Sequence, residues 1–228
     1  LLADDGAEAL RARLTDGLVA ALRTPLDQVA PALRLCALAP RDRLSEPPFE
    51  LPITDTAAPV EVAALADAVA RELPAGPVRT LLEGLAADPR GPRIAGWLTG
   101  VADLVVRLPD GRYAVLDHKT NRLVFRPAGT TEERQRYDQP MMEHVACRDH
   151  YVLQGLLYLV ALHRWLDRRL DGYDPAHHLG GFGLLFLRGM PPASAPAATG
   201  ARPGVWWGRP PAAAIVAADR VRGGGGPA

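Results

Sequence analysis

The chain has 228 residues, of which 48% are hydrophobic, and its formal net charge is zero; these values favour one globular α/β domain with a full core. It contains no run of eighteen apolar residues and opens with no signal peptide, so we expect a cytoplasmic protein that spans no membrane. The neutral charge counts against a freestanding, tight DNA binder, because phosphate contacts supply most of the affinity of such proteins.

The part of the chain before residue 95 is predicted to supply packing elements and one acidic strand. Apolar residues at helical spacing predict a helix over 5–23. Residues 44–53 are predicted to form the first, proline-interrupted strand of the sheet. This strand would carry Glu46 and Glu50 on one face, because side chains alternate with a period of two. Two further helices are predicted over 60–73 and 78–87.

Residues 100–120 predict a β-hairpin, because two apolar, β-branched runs flank Pro109-Asp110-Gly111. A three-residue loop suits this turn, since Gly supplies the left-handed residue of the following bulge. This register places Asp103 directly opposite Asp117, and Lys119 points to the same face. A two-residue loop would instead put the two aspartates on opposite faces.

Opposed aspartates destabilise a sheet unless a cation lies between them. Oxygen ligands with a nearby ammonium group suit Mg²⁺, which takes a couple of carboxylates plus waters and substrate phosphate. Lys119 is the only lysine among 26 basic residues. Its retention indicates a need for a compact ammonium group at this place.

The second half of the chain predicts a long buried helix and a buried strand. The helix, over 150–170, carries Gln154 and Tyr158 on one face, with Tyr151 one turn earlier. The apolar run 182–187 is typical of a buried strand. Tyr137 is predicted to be a surface residue. Both polar groups of the Gln154/Tyr158 pair could also simply bond to backbone.

The two ends and the cysteines complete the prediction. The first residue is Leu, so we expect the chain to be a segment of a longer protein. Residues 1–210 would form the domain, followed by a disordered tail over 211–228 that is rich in Gly, Pro and Ala. Cys36 and Cys147 lack metal-type spacing and are expected to be reduced thiols.

Aspartate, a hairpin turn and then Asp-x-Lys resemble the core of the PD-(D/E)xK nuclease superfamily. Four blocks together resemble the C-terminal nuclease domain of the RecB family, the exonuclease V β subunits. They are Gly96-Trp97-Leu98-Thr99-Gly100 with Asp103-Leu104-Val105, then Leu116 to Asn121, then Tyr151-x-Leu-Gln154-x-x-x-Tyr158 with Ala161 to Arg164, and Gly180-Gly181 with Leu185 to Gly189. The resemblance covers most of the chain, from about residue 20 to about residue 210.

The resemblance implies a restriction-endonuclease-like α/β fold with a mixed central sheet flanked by helices. It implies a Mg²⁺-dependent exodeoxyribonuclease inside a helicase–nuclease complex that processes double-strand breaks in DNA at the nucleoid. Its partners would be a single DNA strand delivered by the motor, the other subunits of the complex, and a recombinase.

Each candidate site residue then has an expected role. The catalytic residues would be Asp103, Asp117 and Lys119. The metal ligands would be Asp103, Asp117, the backbone carbonyl of His118 and, by alignment with the family, Glu46, for which Glu50 is the fallback. Gln154, Tyr158 and Tyr151 would position the DNA strand or support the metal ligands. The side chain of His118 alternates to the face opposite Asp117 and receives no catalytic role.

One feature departs from the family pattern. Family members carry a metal-ligating histidine on an early helix, whereas the first histidine here is His118. That ligand therefore either precedes this segment or is missing. The competing hypothesis is accordingly an inactive docking module for a recombinase or partner subunit. A third reading, a structural hairpin with solvent-facing aspartates, is disfavoured by the lone lysine and by the Gln-x-x-x-Tyr pair.

Overall fold

A mixed five-stranded β-sheet lies at the centre of the computed structural model, which describes residues 4–54, 59–127, 131–191 and 202–222. The helices are α1 (Asp4–Arg23), α2 (Val62–Glu72), α3 (Pro77–Ala86), α4 (Gln139–Arg148), α5 (Tyr151–Asp167), α6 (Pro175–His178) and α7 (Ala212–Arg222). The strands are β1 (Arg43–Ser45), β2 (Pro48–Thr54), β3 (Val60–Glu61), β4 (Arg93–Ile94), β5 (Gly96–Val101), β6 (Leu104–Arg107), β7 (Tyr113–Lys119), β8 (Val124–Phe125), β9 (Arg134–Gln135), β10 (Leu179–Phe186) and β11 (Val205–Gly208).

The strand order of the central sheet is β1-β6-β7-β10-β11. Strands β7 and β10 run parallel, and the other neighbours are antiparallel. The parallel pair needs a long crossover, which α4 and α5 supply. The arrangement is the predicted restriction-endonuclease-like α/β core, with a mixed sheet flanked by helices.

Alternation along β7 gives the sheet two apolar faces. Val115 packs into the core cluster that includes α5, whereas Leu116 packs into a second cluster with Ala21 of α1 and the segment that follows it. Asp117 and Lys119 follow Val115 at steps of two and therefore lie on the α5 face. The fold thus aims both side chains at α5.

The predicted strand over 44–53 is wrong as one element. Residues Arg43–Ser45 pair with β6 of the central sheet, whereas Pro48–Thr54 pair with β5 in a separate two-stranded sheet. The chain changes sheet at Glu46, whose positive φ of 50° bends the backbone between them. Glu50 pairs with Thr99 in the second sheet, so it does not share a strand face with Glu46.

The predicted disordered tail over 211–228 is also wrong for most of its length. Residues Ala212–Arg222 form α7, and its buried residues Ala214, Ile215 and Ala218 belong to the core cluster on the α5 face. Small alanines allow this helix to approach α2 and α5 closely. The rest of the predicted tail lies outside the described residues.

The first helix forms where the apolar spacing predicts it, but most of it contacts little. Residues 6–19 of α1 are exposed, including Leu10, Leu14 and Leu18. Within residues 6–23 only Ala21 is buried, and its neighbour Leu22 is exposed. Among the described residues, no helix is both long and apolar enough to cross a membrane.

His163, near the C-terminal end of α5, makes the unfolding free energy depend on pH. Burial lowers the pKa of His163 below its ordinary 6.5, although Asp219 and Asp167 act in the opposite direction. Between 6.5 and the lower folded value, the unfolded chain binds more protons than the folded one. Stability is therefore lost as the pH falls through this interval.

We expect the unfolding free energy from denaturant titration to decline from pH 7 towards pH 5, and His163→Gln to flatten that slope. His144→Gln offers a matched control, since it makes the same exchange at an exposed position. Equal slopes in the parent and His163→Gln would contradict the assignment.

Candidate active site

The β6–β7 hairpin has the predicted register. Leu104 pairs with Leu116, so the next pair outward sets Asp103 opposite Asp117. The loop spans three residues: the Leu108 N–H donates to the Arg112 carbonyl at 2.7 Å, and Gly111 has φ 87°. The left-handed glycine that the turn chemistry predicts is therefore confirmed. The common face of the two aspartate side chains stays a prediction.

The two carboxylates lie in different surroundings. Asp117 is 5% exposed, whereas the Asp103 side chain is 40% exposed at the bend just before β6. The backbone N–H of His118 donates to Asp103 Oδ2 at 2.8 Å, which fixes that carboxylate against β7. One carboxylate is thus enclosed, and the other faces the approach to the site.

Lys119 lies beside Asp117, and its side chain is only 12% exposed. Its Nζ lies 2.6 Å from Asp117 Oδ2, donates to Gln154 Oε1 at 2.9 Å, and lies 4.0 Å from the centroid of the Tyr151 ring. An ammonium group with partners on three sides is held in one place. The structure therefore brings the lone lysine to the buried aspartate, as its position two residues along the strand predicts.

Gln154 and Tyr158 on α5 continue this network. Gln154 Nε2 donates to the Tyr158 hydroxyl at 2.7 Å, and that hydroxyl donates to the carbonyl of Val101 at 3.2 Å. The Tyr158 ring also meets Phe49 of β2 edge-on, with the ring centroids 5.7 Å apart. The pair therefore links α5 both to Lys119 and to the chain entering Asp103. Gln154 and Tyr158 therefore do not bond to backbone alone, because Gln154 also bonds the side chains of Lys119 and Tyr158.

Two residues of this network were not singled out as site residues by sequence reasoning. Asn121 Nδ2 donates to the Tyr151 hydroxyl at 2.8 Å, and the Tyr137 hydroxyl donates to the Asn121 carbonyl at 3.0 Å. The prediction of a surface tyrosine is wrong, since Tyr137 is 8% exposed. The available signal for Asn121 was its place in the block from Leu116 to Asn121. For Tyr137 the signal was the family resemblance, which places a tyrosine near this position.

Glu46 lies beside Asp103 on the side away from β7. Ser45 pairs with Leu104, so Glu46 occupies the next place, and its N–H donates to the Asp103 carbonyl at 2.9 Å. Glu46, Asp103 and His118 line one cavity of about 410 Å³. The acidic residue that the family alignment selects is thus adjacent to Asp103, while its role as a ligand stays a prediction.

The His118 side chain points to the face opposite Asp117, as alternation predicts, yet it is close to the other aspartate. Its Nδ1 lies 3.5 Å from Asp103 Oδ2. N–H and C=O of one strand residue point to the same edge. Because the His118 N–H points to Asp103, its carbonyl is directed to that edge as well, which is where a ligand to a shared cation would have to lie.

Burial dominates the electrostatics of Asp117. It raises the pKa of Asp117 above the ordinary value, more than the Lys119 ammonium lowers it, and the neighbouring Asp103 raises it further. Asp117 Oδ2 is buried and, despite its close approach to Lys119, accepts no aligned hydrogen bond from the described residues. The Lys119 ammonium group therefore offsets only part of the cost of burying this carboxylate.

This donor set fits Mg²⁺ better than a transition metal. Within residues 4–54, 59–127, 131–191 and 202–222, no group of three or more His, Cys, Asp and Glu side chains is arranged to hold a metal. Mg²⁺ needs fewer protein ligands, since it keeps several waters and binds through one or two carboxylates plus substrate phosphates. The carboxylates of Asp103 and Asp117, together with the carbonyl of His118, would meet that requirement.

No family model matches this chain, but several known proteins are similar to it, and three of them are RecB subunits of the RecBCD enzyme. The RecBCD enzyme subunit RecB of Mycolicibacterium smegmatis is 38% identical over 223 residues, which is 94% of this chain and 20% of that protein. The same subunit of Mycobacterium tuberculosis is 37% identical over 201 residues, 85% of this chain and 18% of that protein. That of Escherichia coli is 34% identical over 178 residues, 78% of this chain and 13% of that protein.

The chain spans a fifth or less of the length of these relatives. Identity of this degree over most of the chain, together with the hairpin that sets Asp103 opposite Asp117, agrees with the four sequence blocks that suggested the resemblance. The chain belongs to the RecB family, as a homologue of one segment of the RecB subunit.

Proposed function

We propose that this chain is a Mg²⁺-dependent DNA nuclease module that hydrolyses phosphodiester bonds as an exodeoxyribonuclease. The observation that carries the proposal is the buried Asp117, which has a raised pKa, an ammonium group 2.6 Å away and a second aspartate opposite it in register. The burial of Asp117 and the approach of a second aspartate both cost stability, and a divalent cation between the two carboxylates would offset that cost.

Asp103, Asp117 and the carbonyl of His118 would hold the cation, and Glu46 would add a carboxylate next to Asp103. When bound, Mg²⁺ supplies Lewis-acid activation of water and neutralises charge on the scissile phosphate. The raised pKa of Asp117 fits this role, since a carboxylate that is poorly solvated gains more from a cation than an exposed one does.

Lys119 would place a proton-bearing ammonium group beside the reacting phosphate. Its contacts with Asp117, Gln154 and the Tyr151 ring fix Nζ before the substrate arrives. A fixed charge stabilises the negative charge that develops in the transition state without reorganisation. Gln154 and Tyr158 would hold Lys119 and the chain at Val101 in register with each other.

The partners follow from the relatives and from charge. The relatives are subunits of the RecBCD enzyme by name, and we propose that this chain likewise acts within a helicase–nuclease complex in double-strand break repair and recombination. A net charge of zero supports a module to which a motor delivers single-stranded DNA, with a recombinase as a further partner, over one that captures DNA alone.

The test is degradation of end-labelled single-stranded DNA with Mg²⁺ or with EDTA, comparing the parent, Asp117→Ala and Asp110→Ala. Asp110 lies in the turn of the same hairpin, is exposed and pairs with Arg112, so it controls for hairpin stability. We expect Mg²⁺-dependent cleavage by the parent and Asp110→Ala, and none by Asp117→Ala. Calorimetry should find Mg²⁺ binding lost in the same variant.

Absence of cleavage and of Mg²⁺ binding in the parent, repeated with a chain extended at its N-terminus, would overturn the nuclease proposal. The inactive docking module would then be the better account of the fold. Pull-down of the chain with a recombinase or with partner subunits would measure that function directly.

A further inference from the structure

The aromatic ring beneath Lys119 is held by a side chain outside the proposed catalytic set. The Tyr151 ring centroid lies 4.0 Å from Lys119 Nζ, and the Tyr151 hydroxyl accepts a hydrogen bond from Asn121 Nδ2 at 2.8 Å. Tyr151 stands at the first residue of α5, where a free side chain would have rotamer freedom. The bond to Asn121 removes that freedom, so the ring stays under the ammonium group.

Asn121 is itself fixed from two other elements. The Tyr137 hydroxyl donates to the Asn121 carbonyl at 3.0 Å, and Arg188 Nε donates to the preceding carbonyl, of Thr120, at 2.8 Å. Both contacts hold the backbone just beyond the end of β7. The loop that follows Lys119 is therefore bound from the α4 side and from the end of β10.

Tyr137 has no room to move away from this loop. A Cβ on Gly189 would lie 2.2 Å from Tyr137 Cγ, so the ring packs directly on the glycine backbone next to Arg188. The N–H of Gly204 donates to the Tyr137 carbonyl at 3.0 Å. The ring thus packs on Gly189 while Gly204 binds the Tyr137 backbone, and the Tyr137 hydroxyl donates to the Asn121 carbonyl.

We propose that Asn121 is a positioning residue for Lys119, acting through Tyr151, and that Tyr137 and Arg188 brace it for that role. Its importance for catalysis rests on the proposed nuclease function; the positioning of Lys119 does not. Asn121 holds the Tyr151 hydroxyl, and the Tyr151 ring in turn holds Lys119 Nζ. The ammonium group is thereby kept against Asp117 and Gln154. A cation over an aromatic face gains energy mainly when it is desolvated, and this ammonium group is largely enclosed.

The lone lysine makes the proposal directly measurable. With ¹³C-labelled lysine the chain gives one set of lysine signals, which belongs to Lys119. The ring current of Tyr151 shifts the Lys119 side-chain resonances upfield. We expect Asn121→Ala and Tyr151→Phe each to move these resonances towards the values of a solvent-exposed lysine. Both variants keep the aromatic ring but remove its hydrogen bond to Asn121.

A double-mutant cycle of Asn121→Ala and Tyr151→Phe tests whether the two residues act through one contact or independently of each other. If Asn121 acts through the Tyr151 hydroxyl, the double variant should shift the Lys119 signal no further than either single variant. In the cleavage assay each variant should lower kcat about ten- to hundredfold, with little change in KM for DNA. Tyr137→Phe should act in the same direction.

Tyr173→Phe is the matched control. Its hydroxyl also bonds a side chain, that of His163 at 2.8 Å, but His163 lies about 18 Å along α5 from Tyr151. An unchanged Lys119 signal in both Asn121→Ala and Tyr151→Phe would overturn the proposal. If the parent chain does not cleave DNA but the Lys119 signal still shifts in both variants, the positioning role is upheld and only the nuclease function is refuted.

Discussion

Replacing Lys119 by arginine is expected to lower kcat by roughly 10²- to 10³-fold, although the charge is kept. Lys119→Ala should have an effect of the same order. Mg²⁺ binding measured by calorimetry should survive Lys119→Ala, since the aspartates remain. The loss would lie in the chemical step, which single-turnover cleavage of end-labelled DNA measures.

The physical reason is the size and shape of the space around Nζ. Asp117 Oδ2 at 2.6 Å, Gln154 Oε1 at 2.9 Å and the Tyr151 ring at 4.0 Å surround a point charge. A guanidinium group is planar and presents five donors in a rigid fork, so it cannot occupy the same point with the same partners. It would either displace Gln154 or move off Asp117.

A reversed exchange at an exposed pair is the control. Arg93 lies 2.9 Å from Glu61 with both side chains more than half exposed, so Arg93→Lys should leave cleavage and stability nearly unchanged. Full single-turnover rate in Lys119→Arg would show that the site needs only positive charge. The bias of the sequence towards arginine would then have no functional meaning at this position.

The core of the site could be predicted because it depends on local chemistry. Pro109-Asp110-Gly111 determines the loop, the loop determines the register, and the register sets Asp103 against Asp117. Lys119 then follows by strand alternation alone. The position of Gln154 and Tyr158 on one face of α5 likewise needs only helical spacing.

The parts that sequence reasoning missed depend on partners far away in the chain. Glu46 bends the chain out of the central sheet because residues on either side of it pair with different strands, which the local pattern of prolines does not show. Tyr137 is buried because Gly189 and Gly204 approach it from segments more than fifty residues later in the printed sequence. Alanine-rich α7 was predicted to be disordered from its composition, whereas its small side chains are what allow it to pack against α2 and α5.

A single methyl group added at Gly155 is expected to lower the stability of the protein. A Cβ there would lie 2.1 Å from Cε2 and 2.6 Å from Cγ of Phe182, which is buried in β10. The whole ring would have to move, yet it packs against Trp206 with the centroids 5.2 Å apart. We expect Gly155→Ala to destabilise the protein by about 1–3 kcal/mol through overpacking.

Helix propensity alone predicts the opposite sign, and this makes the experiment decisive. Alanine in a helix interior is favoured over glycine by about 1 kcal/mol, so the overpacking term must exceed that gain. Gly84 of α3 measures the propensity term by itself, because a Cβ there meets nothing within 4 Å. Denaturant unfolding should therefore show Gly84→Ala stabilised and Gly155→Ala destabilised, with Phe182→Leu restoring part of the loss in the double variant.

Since Gln154 precedes Gly155, a displaced α5 should also withdraw the Gln154 amide from Lys119, so Gly155→Ala should lower kcat while Gly84→Ala should not. Stabilisation by both alanines would mean that the ring of Phe182 yields and that α5 is not held at this distance from the sheet.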